Sequence, residues 1–372
     1  MAPVRVAVVG MGFMGRTHLG AYARAQSAGE PCVVAGVCDR DQVKCQAKAR
    51  ALGAAGVAAE GDAGGNLDTD GDEVDGVLAR ADLLRFTELD ALLASDQIDL
   101  VSICTHTDTH APFAERALRA GKHVLVEKPV AITSAAIDAL ANVADASGLV
   151  CMPAMCMRFW PGWDWLVQTI REGSMGRVLS ARFERLGAAP GWGDGFYSDA
   201  GRSGGALFDL HVHDADFIRY AFGMPGRVDS VGTEAHVSTR YEVAGGPGLL
   251  IAEGGWLNAP GAAFRMRFVV EFERGVADFD LARDPALLVH DASGSRTPEL
   301  KSGTGYDHEV RHAVRLAAGL ETVRIATMRE AADVTRILEA ERDSIRVGGP
   351  VRPAALGTTD QGRAAAPAGA KR

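Results

Sequence analysis

The first forty residues contain the feature that most restricts the fold. A β-branched run from Val4 to Val9 leads directly into the glycine turn GMGFMG of residues 10–15, and a helical pattern from Met14 to about Ala28 follows. A second apolar run spans Cys32 to Cys38. This order predicts a strand, a tight turn, a helix and a second strand, which is how a parallel sheet with crossover helices begins.

The glycine turn has the spacing of a dinucleotide-binding site. Gly10 would permit the tight turn, Gly12 the approach of a pyrophosphate, and Gly15 the close packing of helix on strand. Asp39, at the end of the second strand, is placed to accept hydrogen bonds from the adenosine ribose, which favours NAD. Arg40 leaves NADP open, because a guanidinium pairs with a 2′-phosphate. The alternative is an ordinary strand-to-helix turn in a glycine-rich chain.

Strand and helix patterns continue to alternate through residues 1–148. Strands are predicted at Leu100–Cys104 and His123–Val126, with a helix at Ala111–Ala120 between them. We therefore predict an α/β fold that begins with a Rossmann domain, a doubly wound parallel sheet. Residues 53–82 interrupt it and are predicted to form an acidic surface insertion. A calcium loop starting at Asn66 is disfavoured, because its twelfth position is Val77 instead of a glutamate.

The pattern changes after about residue 148. Alternation in Phe264–Phe272 predicts an antiparallel strand, and helical patterns cover Asp307–Ala318 and Met328–Arg346. We predict a C-terminal α+β domain with an open, mainly antiparallel sheet over residues 149–353, for substrate binding and oligomerisation. Residues 354–372 are predicted to be a disordered tail. Because an open sheet exposes a broad face, we expect a homodimer or homotetramer.

Composition excludes several classes of protein. A length of 372 residues favours two domains, since single hydrophobic cores stop growing near roughly 250 to 300 residues. The formal net charge of −9 argues against nucleic-acid and anionic-membrane partners, which demand a basic surface. The six cysteines contain no CxxC pair and are expected to be reduced. With no signal peptide and no run of about 18 apolar residues, we expect a soluble, cytoplasmic protein.

Two segments carry side chains suited to acid–base chemistry. Lys128 follows a predicted strand, at the sheet edge where open parallel sheets bind ligands; the alternative is a solvated lysine paired with Glu127. Asp209 and His213 are four residues apart, so one helix would place them on one face. A histidine beside a carboxylate is a suitable proton acceptor for an alcohol. The alternatives are a helix cap with satisfied histidines and a metal cluster, which His-x-His spacing on a helix disfavours.

Taken in order, these motifs resemble the Gfo/Idh/MocA oxidoreductases, the family of glucose-fructose oxidoreductase and inositol dehydrogenase. The resemblance covers nearly the whole folded chain. It is carried by Gly10, Gly12 and Gly15, by Thr105 through His110, by residues 120–123 and 127–129, by Gly204 and Gly205, and by Asp209, His213 and Asp216.

The resemblance implies roles for particular residues. His213 would take the hydroxyl proton, Lys128 would hydrogen-bond the same oxygen, and Asp209 would orient the substrate. The implied cofactor-binding residues are Gly10, Gly12, Phe13, Met14, Gly15, Asp39, Arg40, Thr105, His106, His110, Glu127 and Lys128. The implied substrate-binding residues are Lys128, Arg158, Trp192, Tyr197, Asp209 and His213. No metal is expected.

The sequence departs from the family's pattern at His106, where a proline usually follows the threonine at the end of the fourth strand. The loop beside the nicotinamide is therefore expected to differ. We favour a tolerated loop residue over a substrate contact for His106, because isolated polar loop residues are common.

The sequence thus predicts an NAD(P)-dependent dehydrogenase or reductase that acts on a hydroxyl-bearing carbon of a sugar, sugar derivative or cyclitol. Two alternatives stay open. One is an NAD-dependent, redox-neutral glycosidase, which retains its cofactor. The other is a non-catalytic dinucleotide sensor, which could dispense with the lysine and the histidine.

Overall fold

The N-terminal part of the chain forms a six-stranded parallel sheet. The computed structural model describes residues 2–47, 71–191 and 195–354. The strands are β1 (Val4–Val9), β2 (Cys32–Cys38), β3 (Leu84–Phe86), β4 (Leu100–Ile103), β5 (His123–Val126) and β6 (Cys151–Pro153). The helices are α1 (Phe13–Ser27), α2 (Gly71–Leu78), α3 (Leu89–Leu93), α4 (Thr107–Arg119) and α5 (Ser134–Ser147).

The strand order β3-β2-β1-β4-β5-β6 confirms the predicted doubly wound sheet. Its central strands are buried on both faces, as Val6 and Val8 in β1 and Val101 in β4 show. Continuous apolar runs of this kind are typical of parallel strands covered by helices. The order reverses between β1 and β4, so the loops that follow these two strands diverge and leave a crevice at the carboxyl edge.

The second part of the chain is built on an eight-stranded sheet. Its strands are β7 (Val178–Ala188), β8 (Arg227–Thr233), β9 (His236–Glu242), β10 (Leu249–Leu257), β11 (Arg265–Phe272), β12 (Gly275–Asp280), β13 (Leu287–Asp291) and β14 (Gly294–Arg296). The order is β14-β13-β12-β11-β7-β10-β9-β8, and only the β7–β10 pair is parallel. The predicted open, mainly antiparallel sheet is therefore confirmed.

The helices of this part of the chain are α6 (Trp163–Glu172), α7 (Ala200–Ser203), α8 (Gly205–Asp209), α9 (Val212–Phe222), α10 (Gly305–Ala317) and α11 (Met328–Val347). Residues of α6, α8, α9 and α11 belong to the core that covers one face of the second sheet. Trp163 is fully buried at the centre of the core and makes edge contacts with Phe217 and Phe268. In β11, every second residue from Met266 to Phe272 faces this core. Among the described helices, none is both long and apolar enough to cross a bilayer.

The other face of the second sheet is exposed and carries charged side chains. Arg267 on β11 pairs with Asp280 on β12, and His236 on β9 pairs with Glu253 on β10. Val269, with 47% of its surface exposed, lies among them. The second sheet thus exposes the broad face that we expected. This face is polar, and the oligomeric state stays a prediction.

The last two helices join the two parts of the chain. Helix α10 packs against α1, and its residues Val310 and Val314 belong to the core of the first sheet. Helix α11 contacts both α5 and β8. In addition, β6 lies beyond the predicted boundary at residue 148, so the first domain extends further and recruits a helix from the far end of the sequence.

Several other predictions need correction or fall outside the described residues. Directly after β2, the described chain forms only a short 3₁₀ helix, Gln42–Cys45. Part of the acidic insertion, Gly71–Leu78, is helix α2, and its Asp75 pairs with Arg16 on α1. Residues 53–70 of the insertion, which include the first five positions of the calcium loop considered above, lie outside the described residues, as do Trp192 and all but the first residue of the predicted tail. All six cysteines are free and buried.

Candidate active site

The glycine turn has the geometry that a dinucleotide needs. Gly10 adopts a φ of +88°, and a Cβ there would lie 2.7 Å from the carbonyl oxygen of Cys104. A Cβ on Gly15 would lie 1.8 Å from the carbonyl oxygen of Gly10, so only glycine lets α1 pack on the turn. Gly12 caps α1, and a Cβ there would meet no protein atom within 4 Å. The turn is therefore tight on its protein side and open where phosphates would lie.

Asp39 is held rigidly at the end of β2. One carboxylate oxygen accepts a hydrogen bond from the Met11 amide at 2.7 Å, and the other accepts one from the Asp41 amide at 2.9 Å. Arg40 and Lys44 are exposed beside it and line the same cavity. Sequence reasoning missed Lys44; the signal was a lysine in the first turn after the acidic end of β2.

A single cavity of about 940 Å³ runs from the glycine turn to the second sheet. It brings together most of the residues predicted for cofactor, substrate and catalysis. Its lining includes Gly10, Gly12, Phe13, Met14, Asp39, Arg40, Thr105, His106, His110, Glu127, Lys128, Tyr197, Asp209 and His213. Gly15 lies behind the lining, where its task is packing. A volume of this size is typical of ligand-binding clefts.

Lys128 bridges the two domains inside this cavity. Its Nζ donates hydrogen bonds to the main-chain oxygen of Asp209 at 2.6 Å and to the Asp209 carboxylate at 3.2 Å. Burial alone would lower the pKa of Lys128, but the negative charges of Asp209 and Glu127 outweigh it and leave the pKa raised. The lysine is therefore a fixed cation at the meeting point of the two sheets.

His213 is held as a neutral base in the same cavity. Burial lowers its pKa well below the ordinary value, and the positive charges of Lys128 and Arg185 lower it further. Its Nδ1 lies 3.9 Å from the sulfur of Cys156. A neutral imidazole and a charged ammonium thus line one cavity, with their pKa values pushed apart, as acid–base chemistry requires.

Asp209 and His213 do not lie on one continuous helix, contrary to the sequence prediction. Asp209 ends α8 and His213 belongs to the first turn of α9. The main-chain oxygen of Asp209 accepts from Lys128 instead of from the amide of His213, which donates to Leu210 at 3.4 Å. The break therefore follows from the lysine contact, and both side chains still line the cavity.

Buried polar side chains hold the strand end next to Lys128 in place. One carboxylate oxygen of Glu127 lies 2.9 Å from Nε2 of His18, whose Nδ1 lies 2.8 Å from the Ser102 hydroxyl. Burial works against ionisation of Glu127, but the hydrogen bond and charge of His18 outweigh it, so the pKa of Glu127 is lowered. Sequence reasoning missed His18; the signal was a histidine among the small and apolar residues of α1.

The loop after β4 is fixed to the same strand end by His110. The two nitrogens of its ring lie 2.8 Å from the Pro129 oxygen and 2.9 Å from the Thr105 oxygen. His106, expected to be a tolerated loop residue, instead stacks on Phe196 with ring centroids 4.5 Å apart and lines the cavity. His110 therefore connects two loops, and His106 contacts the second domain.

Arg158 is placed away from the predicted substrate contacts. Its side chain is fully buried, and the guanidinium donates to Asp216, to Glu330 and to the main-chain oxygen of Ile325. These buried partners hold it between α9 and the start of α11, outside the cavity lining. A planar guanidinium with several donors suits such a structural role. Tyr197 does line the cavity, where it makes an edge contact with Trp256.

His211 and Asp214, which lie close to His213 in the sequence, make structural contacts. His211 lies 3.0 Å from the Tyr241 hydroxyl and pairs with Glu341, while Asp214 pairs with Arg185. In the described part of the chain, no group of three potential ligands is arranged to hold a metal ion. His211 is therefore a buried core histidine, although its Nδ1 has no hydrogen-bond partner among the described residues, whereas His213 lines the cavity.

Comparison with known proteins adds to this geometry. The sequence model of an oxidoreductase family with an NAD-binding Rossmann fold matches residues 4–155. The model of the GFO/IDH/MocA C-terminal domain matches residues 163–276. Together the two matches span most of the chain, in the order of the two sheets.

Two of the curated relatives are named as dehydrogenases. Inositol 2-dehydrogenase of Rhizobium meliloti is 34% identical over 136 residues, 36% of this chain and 40% of that protein. UDP-N-acetylglucosamine 3-dehydrogenase of Acidithiobacillus ferrooxidans is 31% identical over 236 residues, 63% of this chain and 60% of that protein. The chain spans about two fifths of the length of the first curated relatives that it matches.

Solved structures share the fold along nearly the whole chain. A structure of levoglucosan dehydrogenase in complex with NADH and levoglucosan has a TM-score of 0.76 and 22% identity, and the match covers 95% of this chain and 99% of that one. At this identity the likeness shows a shared fold.

The glycine turn yields a prediction that separates folding from binding. Gly15→Ala should lower the free energy of unfolding by more than about 2 kcal/mol, because the new Cβ collides with the Gly10 carbonyl. Gly12→Ala should change it by less than about 0.5 kcal/mol, since no protein atom is near, yet weaken NADH binding at least about tenfold. Denaturant titration and calorimetry with NADH measure the two effects. Wild-type affinity in Gly12→Ala would contradict the assignment of this space to phosphates.

Proposed function

This chain belongs to the Gfo/Idh/MocA oxidoreductases, a family with an NAD-binding Rossmann domain, and we propose that it is an NAD(P)-dependent dehydrogenase or reductase. Its substrate would carry a hydroxyl on a ring carbon of a sugar, sugar derivative or cyclitol. The observation that carries the proposal is the cationic Lys128, hydrogen-bonded to Asp209, in one cavity with the neutral His213 and the dinucleotide turn.

The residues present fit a dinucleotide. The space at Gly12, the N-terminus of α1 and the fixed carboxylate of Asp39 form a cradle that a Cβ at residue 12 would fill. When bound, the nicotinamide supplies the hydride acceptor or donor. Asp39 favours NAD because its carboxylate accepts from ribose hydroxyls and repels a 2′-phosphate. Arg40 and Lys44 line the same end and keep NADP within the proposal.

The protein's own residues would handle the proton and the oxygen. Lys128 would donate a hydrogen bond to the substrate oxygen and stabilise its developing negative charge. Nδ1 of His213 faces the Cys156 sulfur, so Nε2 is the atom that would accept the hydroxyl proton. Asp209 would orient the substrate and hold Lys128 in place. In the reductive direction, the same imidazole would return the proton to the oxygen.

We propose a cytoplasmic enzyme with small hydroxylated molecules as its ligands. The free, buried cysteines suit a reducing compartment. A net charge of −9 disfavours nucleic acid and anionic membranes as partners.

The main test measures the formation of reduced nicotinamide across a panel of polyols, inositols, sugars and glycosides. Lys128→Met and His213→Asn should each lower kcat at least about a hundredfold, because each removes a group that acts on the transferring proton or oxygen. NADH binding by calorimetry should stay within about threefold in His213→Asn. Lys301→Met and His290→Asn, on exposed side chains outside the cavity, serve as matched controls with wild-type rates.

Other results would point to the alternatives. Cofactor that stays bound during glycoside cleavage without net reduction would favour the redox-neutral glycosidase. Cofactor binding with no turnover of any compound, in the wild type as in the variants, would favour the sensor and contradict the dehydrogenase.

The pKa of His213 predicts the pH dependence of oxidation. The neutral imidazole is the active form, so activity falls when the pH drops through its pKa. Because burial and the charges of Lys128 and Arg185 lower that pKa, the acid limb of kcat/KM should lie well below pH 6.5. NMR titration of the His213 ring should show an upward shift of its pKa in Lys128→Met, which removes one of those charges. An acid limb at or above pH 6.5 would contradict the assignment of His213 as the base.

The oligomeric state is predicted from the free face of the second sheet. We propose that this face joins copies of the chain into a homodimer or homotetramer, because unpartnered sheet faces of this breadth are commonly buried between subunits. Light scattering at micromolar concentration should give the mass of a dimer or tetramer. Val269→Glu on this face should lower that mass, whereas Leu320→Glu, exposed elsewhere, should not. A wild-type monomer would contradict the proposal.

A further inference from the structure

The catalytic set divides the cavity into two ends of different chemistry. From the glycine turn to Lys128, the lining comes from the first domain. Beyond Lys128, much of it comes from six residues that we call the apolar compartment: Phe196, Tyr197, Trp256, Phe264, Met266 and Leu281. They come from β10, from β11 and its flanking residues, from the residue after β12, and from the segment before α7.

The rings of the apolar compartment adjoin one another and leave surface uncovered. Phe196 contacts Tyr197 edge-on at 5.3 Å, and Tyr197 contacts Trp256 edge-on at 6.0 Å. Tyr197, Trp256 and Phe264 are only half-buried although they line a cavity. Half-covered aromatic faces in a concave site are surfaces that an apolar ligand group would cover.

The part of β7 that lines the compartment has small side chains. Gly187 and Ala188 line the cavity, and a Cβ on Gly187 would lie 3.2 Å from a ring carbon of Phe264. Phe264 therefore packs closely over this strand. With glycine and alanine here, β7 adds no large side chain to this part of the cavity lining.

Charged groups near the compartment already have partners. The Arg185 guanidinium donates to both carboxylate oxygens of Asp214, at 3.0 and 3.1 Å, and is buried. Arg202 donates to Asp108 at 2.8 and 2.6 Å. Asp209 and the neutral His213 line the cavity at its Lys128 end, and the Asp209 carboxylate accepts a hydrogen bond from Lys128.

Hydroxyl-binding side chains are scarce in this half of the site. Among the described residues of the second domain that line the cavity, there is no Asn, Gln, Ser, Thr or Glu. The polar atoms left are the hydroxyls of Tyr197 and Tyr306 and the indole N–H of Trp256. A ring with free hydroxyls on every carbon would leave several of them unpaired against this wall, which disfavours binding.

We propose that the substrate is a hydroxylated ring that carries an apolar, flat substituent. The ring would lie at Lys128, Asp209 and His213, and the substituent would lie in the apolar compartment against Trp256 and Phe264. This inference rests on the proposed dehydrogenase function and restricts its substrates. Aryl glycosides have this chemistry, whereas free sugars and cyclitols lack the substituent.

The test compares matched pairs of substrates. Methyl and phenyl β-glycosides of glucose, galactose, mannose and xylose differ only in the substituent. Binding to the complex with NADH is measured by quenching of tryptophan fluorescence, and turnover is measured with the oxidised cofactor. For at least one ring, the phenyl member should bind about tenfold more tightly or better and have a correspondingly higher kcat/KM, because even one methylene in an apolar pocket has an effect of that order.

Two variants localise the effect. Phe264→Ala and Leu281→Asn should each reduce the phenyl-to-methyl ratio of kcat/KM several-fold, because each removes apolar surface that the phenyl group would cover. Leu320→Ala, on an exposed residue outside the cavity, should leave the ratio unchanged. A ratio near one in the wild type, or one that neither compartment variant alters, would overturn the inference.

The experiment distinguishes failure of the apolar compartment from failure of the dehydrogenase function. Equal turnover of methyl and phenyl members would support the dehydrogenase and refute the apolar compartment. Tighter binding of phenyl members without turnover of any would support the compartment and count against the dehydrogenase. Absence of binding by every member of the panel would refute the compartment.

Discussion

The site depends on the contact between Lys128 and Asp209. Lys128 ends a strand of the first sheet, and Asp209 ends a helix of the second domain, so their hydrogen bonds connect the two domains where the substrate would lie. The same contact takes the main-chain oxygen of Asp209 and thereby ends α8. His213 therefore lies on a separate helix, α9, and not on the single helix that the sequence predicts. Its side chain still faces the cavity.

That contact requires the two domains to be held in a fixed relation. Helices α10 and α11 supply apolar packing across the join. Buried ion pairs hold α11 against α9: Arg158 joins Asp216 on α9 to Glu330 on α11, and Arg219 pairs with the same Glu330. Buried pairs contribute little net stability, because desolvation offsets attraction, but removing one partner leaves an unpaired charge that is costly. They therefore favour one position of α11 against α9, and α11 in turn contacts α5 of the first domain.

The first half of the fold could be predicted from sequence because its rules are local. Continuous apolar runs, the glycine spacing and the acid after β2 each restrict a few neighbouring residues, and the structure agrees with them. The failures concern distant contacts. Arg158 was assigned to substrate because nothing near it in sequence shows Asp216 and Glu330. The short β6 was missed because three residues show no periodicity.

The candidate site shows the same division. Lys128, Asp209 and His213 were found by motif, and the structure places all three in one cavity. Their helix geometry was wrong, because the partner that breaks the helix is 81 residues away. The supporting His18 and the rim lysine Lys44 were missed, since each acts through a residue that only the fold brings near.

The electrostatics of the site follow as a chain from Asp209. Its carboxylate opposes the effect of burial on Lys128 and keeps the ammonium charged. That charge, after burial itself, lowers the pKa of His213 and keeps the imidazole neutral. The Asp209 carboxylate thus keeps Lys128 in its protonated, acidic form and, through the charge of Lys128, keeps His213 in its neutral, basic form. In the proposed reaction, the ammonium would stabilise a substrate oxygen that becomes negative, while a proton on the imidazole would add a second positive charge beside the first. Lys128 would therefore favour an anionic oxygen and oppose a protonated His213, and the proton would have to leave the imidazole before the next turnover.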